Sequence, residues 1–168
     1  MLQLRSFFTV LFIAGFFTAT SPVMAPDRSP AHARASGTFQ TLEGVWRGAG
    51  RIMLTDGNSQ RIRCRAYYRV DESGSELGLA IRCAATDNRI ELRAKLNDRG
   101  GRLSGSWEER TFNATGEITG QATPGKMDFS IGGAVEGTMK ISYSQRQQSV
   151  DITTAADGLR GISIKLRR

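Results

Sequence analysis

Histidine occurs once in this 168-residue chain, cysteine twice and proline four times. A single histidine leaves little for imidazole acid–base chemistry. Two cysteines are too few for a disulfide-knot scaffold or a Cys-rich zinc module. The sequence contains no HExxH, no G-x-S-x-G and no phosphate-cradling glycine loop at a strand–helix junction. Glu108 and Glu109 are adjacent, so on a strand they point to opposite faces and form no cooperating acid–base pair. No catalytic residue, metal site or cofactor is expected, and the chain reads as a non-enzymatic protein. Its 39% hydrophobic content is too high for a disordered chain, and its length suits one domain.

Long apolar runs are also scarce. The one at Phe7–Phe17 falls well short of the roughly 20 residues that span a bilayer. The positively charged start Met1–Arg5 precedes it, and the polar stretch Thr18–Pro22 follows. Val23 and Ala25 then supply the small residues of a cleavage site. This is the layout of a secretory signal peptide, with cleavage expected after Ala25. No cysteine follows the run to carry a lipid. Residues 26–41 are rich in Pro, Ala, Ser and Arg without a period, and they read as a flexible linker or loosely docked arm. His32 lies there and receives no role. Residues 42–168 are expected to form the single folded domain. Two cysteines in an exported, periplasmic or secreted protein suggest one disulfide.

Lysine is rare as well: 19 of the 23 basic residues are arginine, against 16 acids. The skew fits anion binding, because arginine forks onto phosphate and carboxylate. It fits the codon habit of a GC-rich genome equally.

After Leu42 the pattern is alternation with period two, the signature of half-buried strands. Trp46, Gly48, Gly50, Ile52 and Leu54 share one face. Ile62, Cys64, Ala66, Tyr68 and Val70 share the next, opposite Arg61, Arg63, Arg65, Tyr67 and Arg69. The apolar face continues through Leu77–Cys83 and Ile90–Leu96. Further strands are expected at Leu103–Trp107, Phe112–Ile118, Met127–Ile131, Gly137–Tyr143, Val150–Ile152 and Ile162–Leu166. Turn residues separate them, as at Asp56-Gly57-Asn58 and Pro124-Gly125. No stretch has a helical period. The fold class is therefore all-β: an antiparallel meander of eight to ten strands closed into a small barrel, with a two-sheet sandwich as the alternative.

Pairing Val70 with Leu77 across the Asp71–Glu76 loop sets Tyr68 opposite Leu79, Ala66 opposite Ile81 and Cys64 opposite Cys83. Facing residues of an antiparallel pair lie within disulfide range, so a Cys64–Cys83 bond is expected. An outer-membrane barrel would turn the apolar face outward instead. Against it stand several expected strands of five to seven residues, where about 9–11 are needed. Few aromatics and a charged tail, Arg167-Arg168, also count against it.

With the apolar face inward, Arg51, Arg61, Arg63, Arg65, Arg69 and Arg82 form a basic outer band. Arg65 is expected opposite Arg82, and Arg51 opposite Arg63 or Arg65 across a Thr55–Gln60 turn. Glu91, opposite Arg82, partly neutralises the band. Such a band suits an anionic envelope component, such as lipopolysaccharide phosphates or an acidic polysaccharide, and nucleic acid is the least expected partner. It serves equally as a solvated wall.

Gly44-Val-Trp46-Arg-Gly48-Ala-Gly50 and Leu103-Ser-Gly105-Ser-Trp107-Glu-Glu109 both alternate Trp and Gly on the inward face. The first resembles the opening strand of calycin-type barrels, the lipocalin and avidin architecture, in which a tryptophan plugs one end. Trp46-x-Gly48-x-Gly50, Arg63-Cys64-Arg65, Cys83, Gly105-x-Trp107-x-Glu109 and Leu166-Arg167-Arg168 also resemble a family of small exported proteins of Gram-negative bacteria. That resemblance implies compartment and fold, not chemistry. The leading functional expectation is a small apolar or amphipathic molecule held in the barrel near Trp46, Tyr68 and Trp107. The alternatives are polyanion recognition by the arginine face, or a protease-inhibitor-like barrel that uses the 26–40 arm.

Overall fold

The computed structural model describes residues 37–86 and 89–168. Alternation of apolar and charged side chains carries the chain through ten strands. They are β1 (Gly44–Leu54), β2 (Ser59–Val70), β3 (Glu76–Ala84), β4 (Arg89–Arg99), β5 (Arg102–Glu109), β6 (Ala114–Thr123), β7 (Lys126–Gly133), β8 (Gly137–Tyr143), β9 (Gln147–Thr154) and β10 (Leu159–Arg167). Each strand pairs antiparallel with the next, and β1 pairs with β10, which closes a ten-stranded barrel and excludes the sandwich. The expected signal peptide, and the expected linker as far as residue 36, lie outside the described residues. The folded unit begins before residue 42, however. Gly37 opens a turn into a short 3₁₀ segment, Gln40–Leu42, and Leu42 and the preceding Phe39 are fully buried.

Cys64 lies opposite Cys83, Tyr68 opposite Leu79, and Val70 opposite Leu77. The two cysteines are bonded, with their Cα atoms 4.1 Å apart. The β1–β2 register departs from expectation: Arg51 pairs with Arg61, and it is Arg47 that faces Arg65. The turn is tighter than its composition suggested. Asp56 accepts hydrogen bonds from both the backbone and the side-chain nitrogen of Asn58, each 2.8 Å, and Gly57 takes a positive φ of 87°. The ladder therefore resumes at Ser59, two polar residues before any strand signal.

The expected Phe112–Ile118 strand starts instead at Ala114. Phe112 lies in a turn and is 66% exposed, and Asn113 carries a left-handed φ of 53°. Strand β9 runs through Gln147–Thr154, well beyond the expected Val150–Ile152, because its polar flanks pair as readily as its apolar centre. The strands span 7 to 12 residues, longer than expected, and only β5, β7, β8 and β9 fall short of the membrane length. The faces argue against a membrane barrel: Ile62, Cys64, Ala66 and Tyr68 of β2 are buried, while Arg61, Arg63, Arg65 and Arg69 are exposed.

Small residues let the wall coil tightly. A Cβ on Gly48 would sit 1.9 Å from the Lys165 carbonyl oxygen. Only glycine admits β10 that close to β1 at the closing seam.

Candidate functional site

The two ends of the barrel differ. At the end formed by the start of β1 and the end of β2, the interior is filled. Phe39, Leu42 and Trp46 have no exposed surface, and the Trp46 Nε1–H donates to the Leu42 carbonyl at 2.7 Å. Trp46 and Tyr68 meet edge-to-face with centroids 6.5 Å apart. The Arg168 guanidinium lies 4.5 Å from the Trp46 ring centroid, donates to the Thr41 carbonyl, and so clasps the 3₁₀ segment from the chain's last residue. Tyr143 Oη donates to the Thr38 carbonyl at 3.1 Å. Tyr68 Oη donates to Gln148 Oε1 at 2.9 Å, and burial pushes the Tyr68 phenol far above its ordinary range. These residues form a stopper.

At the opposite end several inward apolar side chains are only half-buried. Met139, Ile152 and Ile162 follow one another as ladder partners across β8, β9 and β10 and continue to Ile52 of β1. Ile81 and Leu92 pair on the other wall, next to Ile90. Ile52 is buried; the other six pack against the buried core and still reach solvent. A ten-stranded barrel is wider than the eight-stranded ones whose interior side chains just fill. Without a second stopper among the described residues, this end is a greasy mouth.

Of the three residues expected to hold a ligand, Trp46 and Tyr68 stand together in the stopper. Trp107 stands apart on β5, and its Nε1–H donates to the Gly132 carbonyl at 3.3 Å, toward the mouth. The apolar belt of the mouth was not singled out from sequence. Its residues carry the same signal as any core strand, and only closure of the barrel decides which of them stay wet.

Glu109 was read from sequence only as a strand residue beside Glu108, with no buried role. Its carboxylate is buried near the mouth and accepts the amides of Glu91 at 2.9 Å and Phe112 at 2.7 Å. Burial pushes its pKa up, but the amides of Phe112, Glu91 and Thr111 outweigh that and hold it below 4.5. With a folded value below the unfolded one, this carboxylate stabilises the fold above the unfolded pKa, and that contribution is lost as pH falls through the folded value. Glu109→Gln should cost about 1–3 kcal/mol at neutral pH. It should also flatten the acid limb of stability against pH, measured by urea unfolding from pH 7 to 3.

The outer wall over β10, β1, β2 and β3 is basic along its ladder. Arg167 pairs with Arg47, Arg47 with Arg65, and Arg65 with Arg82. Arg82 then faces Glu91, which collects all three ion pairs among the described residues: Arg93 at 3.1 Å, Arg110 at 3.5 Å and Arg82 at 3.6 Å. Burial raises the Glu91 pKa, but Arg93 and the charges of Arg82 and Arg110 hold it below its ordinary value. Arg51, Arg61 and Arg63 are exposed on the same wall, and Arg69 lies nearer the stopper.

Two grooves cross the outside of the barrel. One, of about 560 Å³, lies over the disulfide. The other, of about 1050 Å³, passes Tyr67, Arg69, Arg93 and Lys95. Its lining runs from Glu43 along β1–β6, and most of it is at the outward-facing positions of those strands.

The chain matches no protein-family model and no curated protein sequence. Solved structures share its shape, two of them as follows. Rv2717c from M. tuberculosis superposes with a TM-score of 0.61 at 15% identity, covering 78% of this chain and 96% of that one. The S-type phycobiliprotein lyase CPES from Guillardia theta superposes at 0.52 and 12% identity, covering 77% and 90%. At these identities the likeness is one of fold alone, the closed antiparallel β-barrel described above.

Proposed function

We propose that this is an exported, non-enzymatic protein that takes a small apolar or amphipathic molecule into the unstoppered end of its barrel. The half-buried belt Met139–Ile152–Ile162, facing Ile81 and Leu92, carries the reading. Apolar side chains that point inward and still meet water are what a greasy ligand covers. Removing roughly 200 Å² of such wall from water is worth about 5 kcal/mol before the cost of association. Trp46 and Tyr68 then act as the floor that limits depth, and Trp107 as part of the wall. A barrel of the same type serves the phycobiliprotein lyase, so the architecture supports more than a structural role. The Cys64–Cys83 bond fits an oxidising compartment, periplasmic or extracellular.

Titration with the uncharged fluorophore N-phenyl-1-naphthylamine tests the reading. Saturable, blue-shifted emission at one site per chain is expected. Ile152→Glu should weaken binding at least tenfold, and Ile81→Trp, which fills the mouth without charge, should do likewise. Arg63→Ala, on the outer wall, should leave it unchanged. Emission that never saturates, or that ignores both mouth variants, would refute a lumenal site.

A further inference from the structure

We propose that the groove over the Cys64–Cys83 disulfide binds a compact ligand carrying two or more phosphate groups. The groove lies outside the barrel and stands independently of any lumenal ligand. Five arginines, Arg47, Arg63, Arg65, Arg82 and Arg89, wall its roughly 560 Å³, with Glu91 at one rim. Arg47, Arg65 and Arg82 are direct ladder partners on three consecutive strands, and Arg63 and Arg89 flank Ala84 on the next row. Among the described residues only Arg82 of the five has a carboxylate within ion-pair distance, and that carboxylate is shared with Arg93 and Arg110. Arg65 reaches Tyr67 Oη at 3.5 Å and no acid.

Like charges placed directly opposite one another in a ladder repel and destabilise the sheet. A row of three such residues is relieved only by an anion as dense as the cations. Carboxylates along a sugar chain bring one charge per group, whereas linked phosphates bring several in a small volume. Each phosphate also offers paired oxygens to a guanidinium fork. The volume falls within the range of small-molecule sites. The disulfide ties β2 to β3 directly beneath the groove, fixing the backbones that carry Arg63, Arg65 and Arg82 relative to one another.

Calorimetric titration at about 50 mM NaCl tests this, with sodium tripolyphosphate and orthophosphate as probes. We expect one tripolyphosphate per chain, bound at least 100-fold more tightly than orthophosphate. Arg65→Ala should weaken it at least tenfold, Arg65→Lys should fall between, and Arg102→Ala, exposed on β5, should change it less than twofold. The melting temperature of Arg65→Ala should equal or exceed that of the parent, which separates lost binding from lost folding. Sedimentation with phosphatidylcholine vesicles containing phosphatidic acid distinguishes the source. Vesicle binding that tripolyphosphate competes away assigns a phosphorylated headgroup, and its absence beside tight tripolyphosphate binding assigns a free polyphosphate. Equal affinity for the two phosphates, or tripolyphosphate binding indifferent to Arg65→Ala, would overturn the proposal.

Discussion

Trp46→Ala is expected to remove about 3–5 kcal/mol of stability, the cost of truncating a fully buried large aromatic side chain. For a barrel of this size that corresponds to a fall of roughly 10–20 °C in melting temperature. The ring is packed on every side: Tyr68 meets it edge-on, and the Arg168 guanidinium covers it. Its N–H also satisfies the Leu42 carbonyl, so the 3₁₀ segment loses its anchor together with the cavity filler. Trp46→Phe keeps most of the packing and should cost only about 1–3 kcal/mol, mainly from leaving that buried carbonyl without its donor. Thermal unfolding followed by circular dichroism ranks the two. A loss below 1 kcal/mol for the alanine variant would show that the stopper does not depend on the ring.

The second large effect is expected from the double substitution Cys64→Ala/Cys83→Ala. The bond spans 19 residues of sequence, and in the chain-entropy account a loop near this length is worth about 3 kcal/mol, mostly by restricting the unfolded chain. The ladder on either side, from Arg63–Ala84 to Val70–Leu77, should hold the strands in register without it, so the folded shape should persist. The urea midpoint should therefore fall while folded-state spectra stay the same, and reduction of the parent protein should reproduce the shift. An unchanged midpoint on reduction would mean that the bond contributes nothing in solution.

The β2–β3 pairing was legible because uninterrupted alternation meets a short loop there, and together they admit one register. The β1–β2 pairing was not. Ser59 and Gln60 extend the ladder without an apolar side chain to announce it, so Arg51 was set opposite the wrong partner and Arg47 was left out of the basic band. Arg89 was left out of the band as well, although the pairings of Cys64 with Cys83 and of Arg82 with Glu91 already set it opposite Ala84, one strand removed from Arg63. The stopper was hidden by composition. Phe39 and Leu42 lie at the edge of a Pro-, Ala- and Ser-rich stretch, and the spacing of two bulky apolar residues ahead of β1 was the one available signal. Alternation puts Glu109 on the same face as Trp107, but the amides of Glu91 and of the turn at Phe112 that let its carboxylate be buried are set by the fold and were not legible.

The seam between β1 and β10 has a consequence for how the molecule is born. Contacts between the first and last strands carry the longest loop-closure penalty in the chain, so they form late and slow the whole process. Until Leu166 and its neighbours have been synthesised, both outer strands present unpaired amides and the cylinder stays open. In that open form, with two free edges, the sheet is most exposed to pairing with another chain.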